Sequence, residues 1–320
     1  MARFLSLLVL LVWPAAAFGQ QTVESVGSRA LGMGGAFTAV ADDATAVYWN
    51  PAGLASGPPA GVTTGWADFR TGDQSAPAAP GPTRRTSKFV SLGTWPIGLS
   101  YGRFEEGAIS ESVGSAAVQT LALSQFGATV IQTITPGLVL GSTVKYLRGT
   151  LLSGAATGAS ARDALNAAAD LEGNSSGHFD YDIGMMADLR RARVGVTVRN
   201  MHEPRFADAA GNEIRLRRQA RLGLAILPTT GLTLAMDLDL DTADLRDGPR
   251  RILAIGGENR FGHRWAFRGG VRWSLEGSRR LVGAAGLSVG VRNNLWLDGH
   301  YTQGRLDADR GFGGALRAGF

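Results

Sequence analysis

The sequence lacks cysteine, and beyond its N-terminus it lacks any apolar run long enough to cross a membrane as a helix. Without cysteine among the 320 residues, disulfide bonds, thiolate nucleophiles and cysteine metal sites are excluded. The later apolar runs stay below about 18 residues, which argues against an α-helical membrane protein. The four histidines have no metal-ligand spacing, and no motif joins a serine to one of them. We therefore expect no cofactor, no metal and no enzymatic activity.

An excess of charge of one sign is also lacking, whereas glycine is abundant. The 32 basic and 27 acidic residues are interspersed rather than grouped, so we expect no nucleic-acid partner. Glycine contributes 45 residues, about twice its usual share, without a collagen-like period. This excess indicates many tight turns or closely packed strands.

The N-terminus has the three parts of a secretory signal peptide. A basic start at residues 1–3 precedes the apolar run 4–13, and small residues at Ala17 and Gly19 suit cleavage before Gln20. We therefore predict that residues 1–19 are a signal peptide and that the mature chain is exported.

From about residue 60 onwards, apolar residues alternate with polar or small ones at a period of two, which is typical of β-strands. The clearest segment is "LTLAMDLDLD", residues 232–241, with leucine and methionine on one face and aspartate on the other. Turn signals divide this part of the chain into fourteen predicted strands. They cover 60–69, 87–95, 97–105, 117–134, 138–151, 177–189, 193–200, 214–227, 232–241, 250–260, 264–274, 281–291, 295–305 and 311–320.

The connections between the predicted strands alternate in length. Tiny turns, such as 135–137, follow the even-numbered strands, and longer loops, including 106–116 and 152–176, generally follow the odd-numbered ones. The second of these loops contains the helix-compatible "ARDALNAAADL". Short periplasmic turns and longer external loops are typical of an outer-membrane barrel. We therefore predict an all-β protein, a 14-stranded antiparallel transmembrane β-barrel in the outer membrane of a Gram-negative bacterium.

The charged face of the strands is predicted to line the lumen, because a charge at the bilayer midplane costs about 2–4 kcal/mol. Trp265 and Trp273 lie on the apolar face, and their separation of about 20 Å along the membrane normal fits two aromatic girdles in contact with outer-membrane lipid. The predicted lumen residues are Asp180, Asp182, Arg215, Arg217, Arg221, Asp237, Asp239, Arg268, Arg272, Asp298 and His300.

The last predicted strand alternates and ends in Phe320. This ending resembles the recognition signal read by the bacterial outer-membrane assembly machinery. We therefore expect that machinery as a partner.

The segment "LGMGGAFTAVADDATAVYWNPAGLA", residues 31–55, is glycine-rich without being a phosphate loop. The run from Gly32 to Phe37 has no third glycine at the required position, no strand before it and no Gly-Lys-Ser/Thr. Its glycines permit close backbone packing and positive φ, Asp42 and Asp43 can cap a helix, and the residue before Pro51 disfavours a continued helix.

Residues 29–55 resemble the N-terminal segment of the FadL-like outer-membrane proteins, whose own strand count is fourteen. That family includes fatty-acid and aromatic-hydrocarbon transporters and the PorV/PorQ branch associated with type IX secretion. The resemblance implies a plug, or hatch, at residues 20–58 inside a barrel at 59–320. The implied hatch or gating residues are Gly32, Gly34, Gly35, Phe37, Asp42, Asp43, Tyr48, Trp49, Asn50 and Pro51.

Two functions follow from this resemblance. The first is passive, hatch-gated uptake of a hydrophobic small molecule, such as a fatty acid or hydrocarbon, and such a channel would also bind detergent. The alternative is a PorV-like barrel that serves protein secretion through protein partners.

Overall fold

A computed structural model describes residues 25–72, 83–112, 115–155, 160–169, 173, 175–245, 248–262, 264–277, 281–292, 294–304 and 310–320. The predicted signal peptide and the first residues of the predicted plug, 20–24, lie outside this part of the chain. None of the helices in the described ranges is long and apolar enough to cross a membrane.

Eighteen strands lie in the described residues. In chain order they are β1 (Ala60–Thr71), β2 (Thr83–Thr94), β3 (Ile97–Ser112), β4 (Ser115–Thr135), β5 (Leu138–Ala155), β6 (Ser175–Asp188), β7 (Ala192–Arg199), β8 (Arg205–Ala207), β9 (Glu213–Arg215), β10 (Gln219–Thr229), β11 (Leu232–Asp239), β12 (Ala243–Leu245), β13 (Gly248–Arg250), β14 (Ile252–Phe261), β15 (Trp265–Ser274), β16 (Leu281–Arg292), β17 (Leu295–Gly304) and β18 (Arg310–Gly319).

Fourteen of these strands form one closed antiparallel barrel. Each pairs with its neighbour in the wall, and β1 closes the sheet by pairing with β18, with Gly61 opposite Gly319. The strands β8–β9 and β12–β13 form two separate hairpins within long connections. The predicted 14-stranded antiparallel barrel is therefore confirmed.

The two faces of the wall follow the predicted alternation. Asp180, Asp182 and Asp237 are buried and point into the lumen, whereas Phe179 and Met236 are exposed on the outer face. The exterior carries large exposed apolar side chains on thirteen of the fourteen wall strands, and the outward valines of β7 are half-buried. Such a surface suits lipid rather than water, because exposed apolar area is costly in water.

The predicted loop at 106–116 is wrong. Strands β3 and β4 continue past it as a paired hairpin, with Ile109 opposite Val118 and Ser112 opposite Ser115. Helix α3 (Ala161–Ala169), in the next long connection, packs its Leu165 against Ile109 and Val118. The extension is stable beyond the wall because its backbone groups are paired and its apolar side chains are covered.

The predicted strand at 214–227 is also wrong at its start, and with it the lumen assignment of two arginines. The barrel strand β10 begins at Gln219, and the residues before it belong to the β8–β9 connection. Arg215 lies in that hairpin and pairs with Glu203, and Arg217 is exposed. Alternation by itself does not distinguish a wall strand from a loop hairpin with the same period.

The N-terminal segment, residues 25–57, lies inside the barrel. It contains three short helices: α1 (Ser28–Gly32), α2 (Ala46–Trp49) and a 3₁₀ helix (Pro51–Ser56). Nearly all of it is buried, and its backbone contacts the inner faces of strands around the wall.

Glycines on the inner wall make this close contact possible. Eight of them form four directly opposed pairs on neighbouring strands, and each meets the N-terminal segment. A Cβ atom on Gly270 would lie 2.7 Å from the backbone nitrogen of Gly34 and would overlap the Met33 carbonyl group. The pairs are Gly93–Gly98, Gly141–Gly184, Gly195–Gly223 and Gly256–Gly270.

Gly270→Val should displace the N-terminal segment, whereas Gly269→Val should not. Gly269 precedes Gly270 in the chain and has open space where a Cβ atom would stand, so a valine side chain there contacts only the exterior. Overpacking at Gly270 should cost about 1–3 kcal/mol. Chymotrypsin cleavage at Phe37, Tyr48 and Trp49, followed by mass spectrometry in detergent, measures the displacement. Equal cleavage of the two variants would contradict the packing argument.

Candidate functional site in the barrel lumen

The glycine-rich turn after α1 brings the N-terminal segment against the wall. Gly34 and Gly35 have φ angles of 70° and 90°, which a residue with a side chain rarely adopts. Gly32 packs against Gly286, where a Cβ atom would lie 2.9 Å from its Cα. The chain therefore turns within a space that larger residues could not occupy.

The structure corrects the predicted helix cap. Helix α2 begins at Ala46, its N-cap is Thr45, and the Thr45 side chain makes no capping hydrogen bond. Asp43 instead accepts hydrogen bonds from Thr45, at 2.9 Å from its backbone nitrogen. The helix ends at Trp49, and Pro51 begins the 3₁₀ helix, with Asn50 in extended conformation between them.

Arg29 is the centre of a buried ion cluster that joins the N-terminal segment to the wall. Its guanidinium group donates to both carboxylate oxygens of Glu258 on β14, at 2.7 and 2.9 Å. It also contacts Asp42, and Asp43 at 3.2 Å. Arg268 on β15 lies 2.5 Å from the same Glu258 carboxylate. Each of these carboxylates therefore has a cation, as buried charges require.

Asp237 and Asn50 hold the middle of the segment. The Asp237 carboxylate accepts hydrogen bonds from the backbone nitrogens of Phe37 and Thr38, at 3.0 and 2.8 Å. The Asn50 side chain donates to the Thr38 carbonyl and to that of Met185 on β6, at 2.9 and 3.1 Å. The Asp237 carboxylate on the wall and the side-chain amide of Asn50 in the segment thus form hydrogen bonds with backbone groups that are buried away from water inside the barrel.

A second buried ion cluster lies on β5 and β6. Lys145 is 2.7 Å from Asp182 and 3.2 Å from Asp180, and it donates to Asn200 at 2.8 Å. Asp180 and Asp182 also accept backbone hydrogen bonds from the start of the β7–β10 connection. This cluster therefore fixes the connection to the inner wall.

The remaining predicted lumen residues lie on the inner face of the wall. Arg221 pairs with Asp239 at 2.6 Å, and Asp298 pairs with Arg317 at 3.1 Å. Arg272 and His300 are buried, and neither ring nitrogen of His300 has a hydrogen-bond partner among the described residues.

Four charged residues at the centre of these clusters were missed by the sequence analysis. Lys145 and Glu258 stand at inward positions of alternating strands, so the period itself could have identified them. Arg199 also stands at an inward position of its alternating strand, β7, whereas nothing in the period indicates Arg29, which approaches Glu258 from a distant part of the chain.

Aromatic side chains fill the level above α1. Phe37 and Trp49 meet edge to face at 5.9 Å between ring centroids. Tyr48 contacts the inward Phe89 and Phe104 at 5.7 and 6.0 Å. The Arg199 guanidinium lies 3.9 Å from the centre of the Tyr48 ring, within the range of a cation–π contact. Phe37, Tyr48 and Trp49 therefore pack against one another and against the wall at one level of the lumen.

The upper lumen contains an apolar cluster and is covered from the long-loop end. Phe206 of β8 is fully buried, lies against Gly149 on β5 and meets the His178 ring at 5.1 Å. Ile214 and Leu216 of the same connection are buried beside it. We call the wall residues beneath them the upper apolar cluster: Phe89, Phe104, Leu121, Leu123, Leu147 and Leu151.

A cleft of about 610 Å³ lies on the wall at β1, β2, β3, β17 and β18, where the neighbouring strands remain hydrogen-bonded, and we call it the wall cleft. Trp66, Tyr101 and Leu297 line it from the outer face, and Phe89 lines it from the lumen side. The directly opposed glycines Gly299 and Gly314 leave the outer wall thin beside it. The wall cleft therefore lies between the exterior and the level of Tyr48, which touches Phe89.

The two predicted girdle tryptophans lie on the outer face of β15. Trp265 is exposed next to the short turn, and Trp273 is half-buried near the other end of the strand. No group of three or more potential metal-binding His, Cys, Asp or Glu side chains lies within the described ranges.

The sequence comparisons cover less than half of the chain. Residues 99–239, from within β3 to the end of β11, match the family described as "F plasmid transfer operon, TraF, protein". The comparison with curated proteins finds no match.

Solved structures with the same fold cover nearly the whole chain. The "CymD monoaromatic hydrocarbon channel" is 14% identical with a TM-score of 0.66, and the match covers 92% of this chain and 98% of that one. A Pseudomonas aeruginosa FadL homologue is 11% identical with a TM-score of 0.63, over 95% and 99%. The Pseudomonas putida toluene transporter TodX is 13% identical with a TM-score of 0.61, over 94% and 98%. The chain therefore has the FadL-like outer-membrane barrel fold.

Arg29→Met should destabilise the protein strongly, whereas Arg70→Met should not. Removing Arg29 leaves the buried Asp43 carboxylate without its cation and leaves Glu258 with Arg268 as its near cation, and breaking a buried pair costs about 3–5 kcal/mol. Arg70 pairs with Asp68 at a partly exposed site, where such a pair contributes about 0–1 kcal/mol. The midpoint of urea unfolding in detergent, followed by tryptophan fluorescence, measures both changes. An equal shift in the two variants would show that Arg29 does not stabilise the lumen.

Proposed function

We propose that this protein is an outer-membrane channel for passive uptake of hydrophobic small molecules, with hydrocarbons as the preferred class. The observation that carries this proposal is the upper apolar cluster, which adjoins a cleft in the barrel wall. The structures of the same fold support it, because two of them are described as hydrocarbon or toluene channels.

The exterior supports a location in the outer membrane. Large apolar side chains are exposed around the wall, and a closed barrel leaves no unpaired strand edge in lipid. In such barrels the short turns face the periplasm and the long connections face outwards. The upper apolar cluster and Phe206 then lie on the external side of the N-terminal segment.

The upper apolar cluster is suited to a ligand of phenyl size. The Phe206 ring occupies that space in this structure, held between Gly149 and His178. A hydrophobic molecule would gain the same burial by replacing the ring, at about 25 cal/mol per Å² of apolar area. The β8–β9 hairpin would then act as a lid, and its Phe206 ring would move out of the upper apolar cluster as the ligand enters.

The wall cleft is the proposed exit to the membrane. Phe89 belongs to both the upper apolar cluster and the lining of the cleft, so an apolar molecule could pass between them along apolar surface. The lower lumen offers no comparable path through its described residues, because the N-terminal segment and its ion clusters fill it. The segment is the proposed hatch, and Asp237, Glu258 and Asn50 are its anchors.

The three structures compared here give no support to the PorV-like role in protein secretion. Two are described as channels or transporters and the third as a FadL homologue.

Gly314→Leu should slow hydrocarbon uptake, whereas Gly269→Leu should leave it unchanged. Gly314 lines the wall cleft, so a leucine side chain there fills part of the exit. Gly269 also faces the exterior, with open space around it, but it lies on β15. Uptake of radiolabelled toluene into cells that produce each variant measures the rates, relative to cells without the protein. Cells with the wild-type barrel that take up toluene no faster than the empty control would overturn the uptake function itself.

Deletion of residues 31–55 should make the barrel leak. Without the proposed hatch, the polar side chains that pair with it, including Asp237 and Glu258, would line a water-filled lumen. Liposome swelling in small sugars measures the leak, and a heat-modifiable band on a gel controls for barrel folding. A folded deletion variant with no leak and with normal toluene uptake would exclude the hatch.

A further inference from the structure

The outer face of the wall changes from apolar to basic along one row of paired residues on β2 to β5. Lys88 stands opposite Arg103, Arg103 opposite Ser124, and Ser124 opposite Arg148. We call these four residues the basic row. The cations are exposed and Ser124 is half-buried, and all four occupy outward positions of their strands.

An aromatic row borders the basic row on the side of the short turns. Its members lie two positions from the basic row along each strand, towards the short turns. They are Val90, Tyr101, Phe126 and Tyr146, which pair with one another across the strands. All four are exposed, and Tyr101 contacts Phe126 at 4.7 Å between ring centroids. Aromatic side chains followed by cations are typical of the level where lipid tails meet headgroups.

The basic row has more positive charge than its neighbours neutralise. Arg103 pairs with Glu105 at 2.9 Å. Arg148 donates to the Ser175 hydroxyl group at 3.0 Å, and neither Arg148 nor Lys88 pairs with a carboxylate of a described residue. Like charges directly opposite each other across two strands are destabilising, and with Glu105 paired to Arg103 the row keeps the charges of Lys88 and Arg148 without a carboxylate.

The orientation of the barrel assigns this row to the outer leaflet. Each of its residues lies on the side of the aromatic row that leads to the long connections. We propose that the basic row binds the phosphate groups of a diphosphorylated glycolipid in the outer leaflet. The inference does not depend on which molecule passes through the lumen.

The spacing of the cations favours two phosphates over one. Lys88 and Arg103 are neighbours across one strand pair, close enough to share a single phosphate. Arg148 is two strands away from Arg103, or about 10 Å at the usual strand spacing. The Ser124 hydroxyl group lies between them and can donate to the headgroup. Because Arg103 already pairs with Glu105, a lipid with one phosphate would leave either Arg148 or Lys88 without an anion.

The test compares lipids that differ by one phosphate. Native mass spectrometry of the full-length protein in detergent measures the affinity for diphosphoryl lipid A, monophosphoryl lipid A and phosphatidylglycerol. The wild type should prefer diphosphoryl lipid A. The triple variant Lys88→Gln, Arg103→Gln, Arg148→Gln should bind it about tenfold more weakly, the loss expected from about one charge-assisted hydrogen bond. Arg148→Gln alone should reduce the preference for the second phosphate.

A matched triple variant at the opposite edge is the control. Arg190, Arg191 and Arg264 are exposed beside the short turns, and their replacement by glutamine removes the same charge. This variant should bind diphosphoryl lipid A as the wild type does. Equal losses of affinity in the two triple variants would overturn the proposal, because they would show that binding depends only on the net charge of the protein. Equal wild-type affinity for all three lipids would overturn the requirement for two phosphates.

Discussion

The closure of fourteen strands into one barrel is the constraint on which the rest of the structure depends. A barrel of about eight strands is just wide enough for its own side chains to fill, and wider barrels leave a lumen. This chain fills much of that lumen with its N-terminal segment. Because the backbone of the segment approaches the backbone of the wall, opposed wall positions must lack side chains, as at Gly256 and Gly270. The high glycine content is therefore largely a packing requirement.

The filled lumen is divided by chemistry along its axis. Ion clusters around Arg29 and Lys145 occupy the lower and middle parts, and each of these two cations has carboxylate partners. Above Tyr48 the wall becomes apolar and receives Phe206 from outside. Buried ion pairs tolerate little displacement, whereas an apolar side chain can be replaced by another apolar molecule. This difference makes the upper part the suitable place for an exchangeable ligand.

The alternation of residues predicted the strand count, the inward aspartates and the apolar exterior. It failed where its period continues outside the wall. Arg215 alternates as wall residues do but belongs to a loop hairpin, whereas Ile109 was predicted in a loop and belongs to a hairpin extension of the wall. The cap assigned to Asp42 and Asp43 failed for another reason, since Arg29 contacts both carboxylates from another part of the fold. Lys88 and Arg103 break the rule of an apolar exterior because they stand beyond the aromatic row.

The sequence by itself determined which residues form strands and which face of each strand is apolar. Both properties depend on neighbours two positions apart, so they can be read along the chain. Only the tertiary structure decided which groups meet across the lumen. Arg29 and Glu258 are 229 positions apart, and Phe37 and Asp237 are 200 apart, so no local pattern relates them. Their pairing follows from the closure of the barrel, which places distant strands around one N-terminal segment.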